Sequence, residues 1–138
     1  MTFLPLTPAQ TYIVSIAPNE EIIAALFSFI KERGIQSGYF TGIGAVKSAR
    51  LGHYRVSHKK YTERNIKKPM EIANLTGIIT KDKIHAHITL GNQLFKAYAG
   101  HLVRATVSAA CEVIVVAAKE EIARAYSKEI GLELLDLS

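Results

Sequence analysis

Lys83-Ile84-His85-Ala86-His87-Ile88-Thr89-Leu90, with the return segment Leu94 to His101, is the stretch that decides the reading of this chain. Apolar and polar residues alternate along it, the two-residue period of a half-buried strand. Successive side chains of a strand point to opposite faces. Ile84, Ala86, Ile88 and Leu90 therefore face a core, and His85, His87 and Thr89 face the other side. Gly91-Asn92-Gln93 reads as the hairpin loop. With a three-residue loop Leu90 pairs with Leu94, His87 faces Ala97, His85 faces Ala99 and Lys83 faces His101. His101 then lies diagonal to His85 on the same face. A two-residue loop shifts the register by one and sends His101 to the opposite face, and a bulge at Gly100 changes the pairing again.

Working outward, the elements on either side share the strand period. Thr11 to Ile16 is β-branched and aromatic, a first strand after an arm of residues 1–10 that holds Pro5 and Pro8. Asn19 offers a helix cap, with Glu20 and Glu21 at the positive end. Ile22, Ile23, Leu26, Phe27, Phe29 and Ile30 form an apolar stripe at helical spacing, and Gly34 supplies the stop. Strands follow at 38–46, 48–56 and 70–80, with 57–69 a basic hairpin end or loop. The run from Val103 to Ala118 reads as a central strand buried on both faces. Residues 119–138 form a tail in which Glu120-Glu121 begins a short helix. The expected fold is α+β, a mainly antiparallel sheet of about seven strands with one long N-terminal helix and short flanking helices, in a single domain over 1–138.

Composition narrows the function. Apolar residues make up 49% of the 138, which argues against disorder. No run approaches the ~20 apolar residues of a membrane span. Met1-Thr2-Phe3-Leu4-Pro5 lacks the charged and apolar regions of a signal peptide, so a cytoplasmic location is expected. One cysteine, Cys111, rules out an internal disulfide and a cysteine-based zinc finger, and its apolar neighbours predict a buried, inert thiol. Gly42-Ile43-Gly44 is not a dinucleotide fingerprint, because Lys47 stands at the third glycine position and no helix pattern follows. No nucleophile elbow is present for Ser/His/Asp chemistry.

Two features carry chemistry. Three neutral imidazoles with one open position suit zinc or another late first-row divalent ion, and such a site activates a bound water. The competing reading is three ordinary polar-face histidines. Glu71 and Glu112 are the candidate supporting carboxylates or general bases on neighbouring strands. The second feature is charge. The net charge is +5. Residues 47–68 hold eight cations, Lys47, Arg50, Arg55, Lys59, Lys60, Arg64, Lys67 and Lys68, against one acid, Glu63. That local +7 leaves −2 for the rest of the chain. With Tyr54 and Tyr61 interleaved, it reads as a candidate face for DNA or another polyanion, or as a solvated hairpin.

The order of short motifs is distinctive. Gly42-Ile43-Gly44-Ala45-Val46, Met70-Glu71-Ile72, Leu75-Thr76-Gly77, His85-Ala86-His87, Ala99-Gly100-His101-Leu102 and Cys111-Glu112-Val113 follow one another, and Arg124 and Glu129-Ile130-Gly131-Leu132 close the series. From about residue 10 to 135 the chain resembles the plants and prokaryotes conserved (PPC) domain family, prokaryotic stand-alone type. The resemblance implies an antiparallel sheet with flanking helices, a homotrimer, and a metal site on His85, His87 and His101. Ala99 replaces a family glycine, and Ile122 replaces an aromatic near Arg124. Plant members join the domain to AT-hooks and act on DNA; no AT-hook is present in this sequence. Three readings follow: a metal-binding homotrimeric module with a DNA-associated or regulatory role, a metal-dependent hydrolase-like enzyme using a histidine-bound water, and a structural trimeric scaffold.

Overall fold

A computed structural model describes all of residues 1–138. Its elements, in order, are β1 (Pro8–Ile16), α1 (Ile22–Glu32), β2 (Gly38–Arg55), a 3-10 turn (Val56–His58), β3 (Lys60–Ile66), β4 (Met70–Thr80), β5 (Lys83–Gly91), β6 (Ala97–Ala118), β7 (Ala123–Ser127) and β8 (Leu132–Asp136). Every pairing is antiparallel. No helix is long and apolar enough to cross a membrane.

Two long strands organise the sheet. β2 and β6 pair from Gly38↔Ala117 to Gly52↔His101. The other edge of β2 is shared by β4, over Gly38 to Val46, and β3, over Ala49 to Arg55. The other edge of β6 is shared by β5, over Ala97 to His101, and β1, over Cys111 to Ala118. β4 and β5 pair with each other, so hydrogen bonds run from β6 through β2, β4 and β5 and return to β6. A sheet closed on itself must bend, and bulges supply the bend. The register slips between Gly42 and Gly44 against β4, and between Gly44 and Val46 against β6. Gly44 sits at φ +152°, and a Cβ there would lie 2.3 Å from the Ala110 carbonyl oxygen. Only glycine tolerates both the dihedral and the close approach.

Alternation fills the inside. Phe40, Val46, Leu75, Ile79, Ile88, Leu90, Val107, Val113 and Val115 point inward and are buried. α1 covers them with Ile22, Leu26 and Ile30, one helical stripe, packed mainly against β6. Each such side chain contributes roughly 1.5–3 kcal/mol of transfer free energy. The outward positions are less polar than a solvated sheet requires. Ile13, Tyr39, Ile43, Ile78 and Ile114 are exposed, Ile13 at 76%. They adjoin one another: Ile13 pairs with Ile114, and Tyr39 with Ile78.

The structure corrects several expectations. The fold is mostly antiparallel sheet; there is no long N-terminal helix, and no flanking α-helices exist. The single α-helix has 11 residues. It starts late because Asn19 is not its cap. Asn19 takes φ 73° and its side chain accepts from the Lys47 ammonium. Glu21 caps instead, accepting from Ile23 N at 3.2 Å and Ala24 N at 2.8 Å. Gly34, at φ 65°, ends the helix as expected. Strands 38–46 and 48–56 are one strand, β2, because its bulges absorb the bend without a break. Part of the 57–69 loop is strand β3. The 103–118 strand is buried on one face only, with Glu112 and Ile114 turned outward. The expected helix at Glu120-Glu121 is absent. The Glu120 carboxylate accepts from Thr7 N at 2.7 Å and Glu121 pairs with Lys81 at 2.8 Å, so both are engaged elsewhere. Beyond them β7 and β8 form a hairpin, turned near Gly131 at φ 81°.

Candidate metal centre

On β5 the two-residue period holds. Ala86, Ile88 and Leu90 are buried, while His85 and His87 lie on the outer face. The hairpin register is not the one expected from a three-residue loop. His87 pairs with His101, Thr89 with Ala99, Leu90 with Tyr98 and Gly91 with Ala97, so the loop is Asn92 to Lys96. The physical reason is Asn92. Its side-chain oxygen accepts from Leu94 N at 2.9 Å and Lys96 N at 3.0 Å, and Phe95 adopts φ 57°. These local bonds hold five residues out of the ladder, and Phe95 is left 96% exposed. The slip relative to expectation is four residues. An even slip preserves the face, so His101 stays with the other two imidazoles, directly opposite His87 and still diagonal to His85. The β5–β6 register runs through Gly100 without a bulge.

His85, His87 and His101 form one cluster. Each offers a ring nitrogen, and these atoms lie within 4.8 Å of one another. Ring centroids are 5.1 Å apart for His85–His87, 5.0 Å for His85–His101 and 5.7 Å for His87–His101. Nitrogens bound tetrahedrally at about 2.1 Å from zinc stand roughly 3.4 Å apart, so rotation about the side-chain bonds brings the three onto one ion. The Nδ1 atom of His101 is buried with no hydrogen-bond partner, an orphan that a bound ion would satisfy. Burial above all, then the His101, Arg124, His87 and Lys83 charges, pushes the His85 ring down to about 4. Burial likewise lowers His101, with His87 and Lys83 adding to it and Glu63 opposing. Both rings are neutral at pH 7 and carry the lone pair that a metal requires. The donor set fits a divalent ion.

The surroundings come from elements that are remote in sequence. Tyr61 of β3 lies 5.4 Å, ring to ring, from His101 and 4.9 Å from Tyr54. The β7–β8 hairpin is tied down beside β5. Lys83 binds Glu133 at 2.7 Å, the Tyr54 hydroxyl donates to Ile130 O at 2.8 Å, and Lys59 Nζ donates to Lys128 O at 2.6 Å. The hairpin brings in Arg124, whose Nη1 donates to Glu133 O at 3.0 Å and whose Nε is buried without a partner. Arg124, Tyr61 and Glu63 are neighbours that the sequence pattern did not place at the site, while Lys83, expected opposite His101, pairs with Thr80 and reaches Glu133 instead. Arg124 does stand in an Ala-Arg-Ala-Tyr alternation, but nothing local says which strand faces it.

Glu71 and Glu112 do not join the cluster. Glu71 pairs with Gly91, five residues along β4 from Thr76, the partner of His87, or about 16 Å at strand rise. It lines a cavity of about 860 Å³, beside Met70, Leu90, Leu94 and Phe95, away from the imidazoles. Glu112 is eleven residues from His101 on β6, roughly 36 Å. The basic residues separate. Arg50 pairs with Glu63. Lys47 binds Asn19, and Lys59 is turned to the C-terminal hairpin. Lys67 and Lys68 lie between β3 and β4. Arg55 and Lys60 are direct partners, and Arg64 shares their face of the β2–β3 hairpin opposite Leu51.

A family model for the Plants and Prokaryotes Conserved (PCC) domain matches residues 5–119. Among solved structures, the chain is similar to a Bacteroides thetaiotaomicron protein provisionally described as DNA-binding, with 37% identity, 95% of this chain and 96% of that one covered, and a TM-score of 0.88. A plant- and prokaryote-conserved (PPC) protein from Pyrococcus horikoshii matches at 28% identity, covering 99% and 97%, with a TM-score of 0.91. A metal-containing protein from Archaeoglobus fulgidus matches at 30% identity, covering 97% and 98%, with a TM-score of 0.90. No curated protein matches.

Proposed function

The chain belongs to the Plants and Prokaryotes Conserved domain family, and from that premise we propose that it is a homotrimeric module holding one divalent ion, zinc, on His85, His87 and His101. The observation that carries the metal is the convergence of three ring nitrogens within 4.8 Å on one face of a rigid hairpin. Neutral imidazoles without a thiolate or carboxylate suit zinc among the late first-row ions. The similarity to a metal-containing protein points the same way. Trimer formation is supported by the outward Ile13, Tyr39, Ile43, Ile78 and Ile114, a contiguous apolar strip on the same outer face as the histidines.

Protein purified without chelators is expected to carry about one zinc per chain, reduced to near zero in His85→Ala and His101→Ala. Wild type without bound metal, and unable to take up added zinc, sinks the metal reading. Light scattering of wild type is expected to give three chains per particle, and a monomer at working concentration sinks the trimer.

A DNA-associated role is favoured by Arg55, Lys60 and Arg64 sharing one face of the β2–β3 hairpin and by the provisional DNA-binding description of two structural relatives. Duplex retention is expected to fall with salt and to lose slope in Arg55→Ala with Lys60→Ala. Failure to retain duplex at low salt removes this role. Hydrolysis by a metal-bound water has less support. Glu71 and Glu112 lie far from the imidazoles, and Glu63 is held by Arg50, so no free carboxylate stands ready as a base.

A further inference from the structure

The charges around the histidine cluster do not balance once an ion is added. The three rings contribute no negative charge. Each nearby carboxylate is already matched: Glu63 by Arg50, Glu133 by Lys83 and Glu121 by Lys81. Arg124 is not matched. Its Nη1 meets a backbone carbonyl, and its Nε is buried with nothing to donate to. The edge left free, Nε with Nη2, is the one that grips two oxygens of an anion side by side. Glu133, whose carbonyl holds Arg124, is bound through its carboxylate to Lys83, two residues before His85 on β5, which places the guanidinium beside the cluster. His87 is exposed, so the cluster opens to solvent.

We propose that the ion on His85, His87 and His101 takes a small oxyanion, a carboxylate or phosphate group, as its exchangeable ligand, and that Arg124 is the second anchor for that anion. This rests on the metal reading above. A divalent ion beside a guanidinium that forms no ion pair concentrates positive charge there, and the nearby Glu63 and Glu133 carboxylates are each bound to another cation. An oxyanion that bridges them satisfies the open coordination position and the orphaned Nε together. The C-terminal hairpin thereby gains a specific role, because Lys83–Glu133 and Tyr54–Ile130 fix β7 and β8 where Arg124 can reach the anion. Arg124 is a binding residue for the ligand, not for the metal.

The test uses the full chain loaded with cobalt(II), whose visible spectrum reports its coordination. Inorganic phosphate and acetate are titrated separately at constant ionic strength, with chloride as the control. The expected result is a saturable spectral change with phosphate or acetate and none with chloride. Arg124→Ala is expected to bind the same amount of cobalt and to weaken the anion roughly tenfold or more, the scale of a lost charge-assisted pair. Arg124→Lys keeps the charge without the fork and serves if the alanine variant fails to fold; it too should weaken the anion several-fold. Full cobalt uptake with no anion response overturns this inference and leaves the metal reading standing. So does an anion affinity unchanged in both variants. Absence of cobalt uptake by wild type overturns both.

Discussion

Gly77→Ala offers the sharpest test of how the sheet sets the site. Gly77 lies on β4 opposite Phe40 of β2 on one side and Ala86 of β5, between the two β5 histidines, on the other. A Cβ there would stand 2.3 Å from Phe40 Cζ, 2.5 Å from Cε1 and 2.8 Å from the His85 carbonyl oxygen. Carbon atoms prefer about 3.5–4.0 Å. Phe40 is fully buried and has no space to swing into, and the His85 oxygen is backbone. Overpacking of this kind costs typically 1–3 kcal/mol, and two contacts more than about 1 Å too short put it at the upper end. Alanine regains about 0.5–1 kcal/mol over glycine in a strand. The net loss is therefore about 2 kcal/mol, which for a chain of this size lowers Tm by roughly 6 °C. Urea unfolding of the metal-free protein measures it. Phe40→Leu in the Gly77→Ala background removes the far ring atoms, so the double variant should be more stable than the two single losses predict, by more than about 0.5 kcal/mol. A Gly77→Ala protein as stable as wild type, or strictly additive losses, refutes the contact. Because the third contact is the carbonyl of His85, the folded variant should also take up an added divalent ion at the proposed site less tightly than wild type.

Other perturbations have outcomes fixed by the same geometry. Glu21→Ala removes the cap of α1 and the acceptor of the Ala105 N–H bond at 3.0 Å; about 2 kcal/mol of stability should go, and a loss below about 0.5 kcal/mol in a urea titration contradicts the capping geometry. Glu21→Gln keeps an oxygen in place and should lose less than half as much. In metal-stripped protein the folded His85 ring, at about 4, binds a proton less readily than the unfolded ring at 6.5. Its contribution is thus fully present above pH 6.5 and is lost as pH falls towards 4. The shift corresponds to about 3 kcal/mol before screening, and for a half-exposed ring about 1–2 kcal/mol is expected; equal pH slopes for wild type and His85→Ala would show the ring to be unperturbed. Burial, helped by Glu112, raises the Cys111 thiol to about 11, so a thiol reagent near neutral pH should label it only in urea, and rapid labelling of native protein contradicts its burial.

The sequence carried the parity of the site better than its register. His85-Ala86-His87 fixes two imidazoles on one face whatever the loop does, and any even slip of β6 keeps His101 with them. The loop length was not legible, because it depends on the Asn92 side chain folding back on Leu94 and Lys96 rather than on the Gly-Asn dipeptide. The end of α1 was legible at Gly34, where a left-handed residue is a local requirement. Its start was not, since Asn19 is taken by Lys47 from 28 residues away and Glu21 is held by both the helix and β6. The same holds at the other end of the chain. Glu120 and Glu121 look like a helix start, but their partners are Thr7 and Lys81. The loop at 57–69 became β3 because the far half of β2 had a free edge, a fact of topology invisible in a polar, basic segment.

These long-range ties explain why the chemistry sits where it does. The core requires only that β5 and β6 bury Ala86, Ile88, Leu90 and Leu102, and the period of two then forces the intervening histidines outward. An outward face in full solvent would leave the rings protonated over much of the range below about pH 6.5, in competition with any metal. Tyr61 flanks the rings on one side, and the anchored C-terminal hairpin brings the Arg124 charge to them, while partial burial of His85 and His101 depresses their proton affinity. The rings are thus ready to ligate before an ion arrives. The elements least readable in the sequence, β3 and the β7–β8 hairpin, are the ones that surround the three outward histidines of the proposed site. Loosening that hairpin, at Lys83–Glu133 or Tyr54–Ile130, should therefore weaken anion affinity before it affects the stability of the closed sheet.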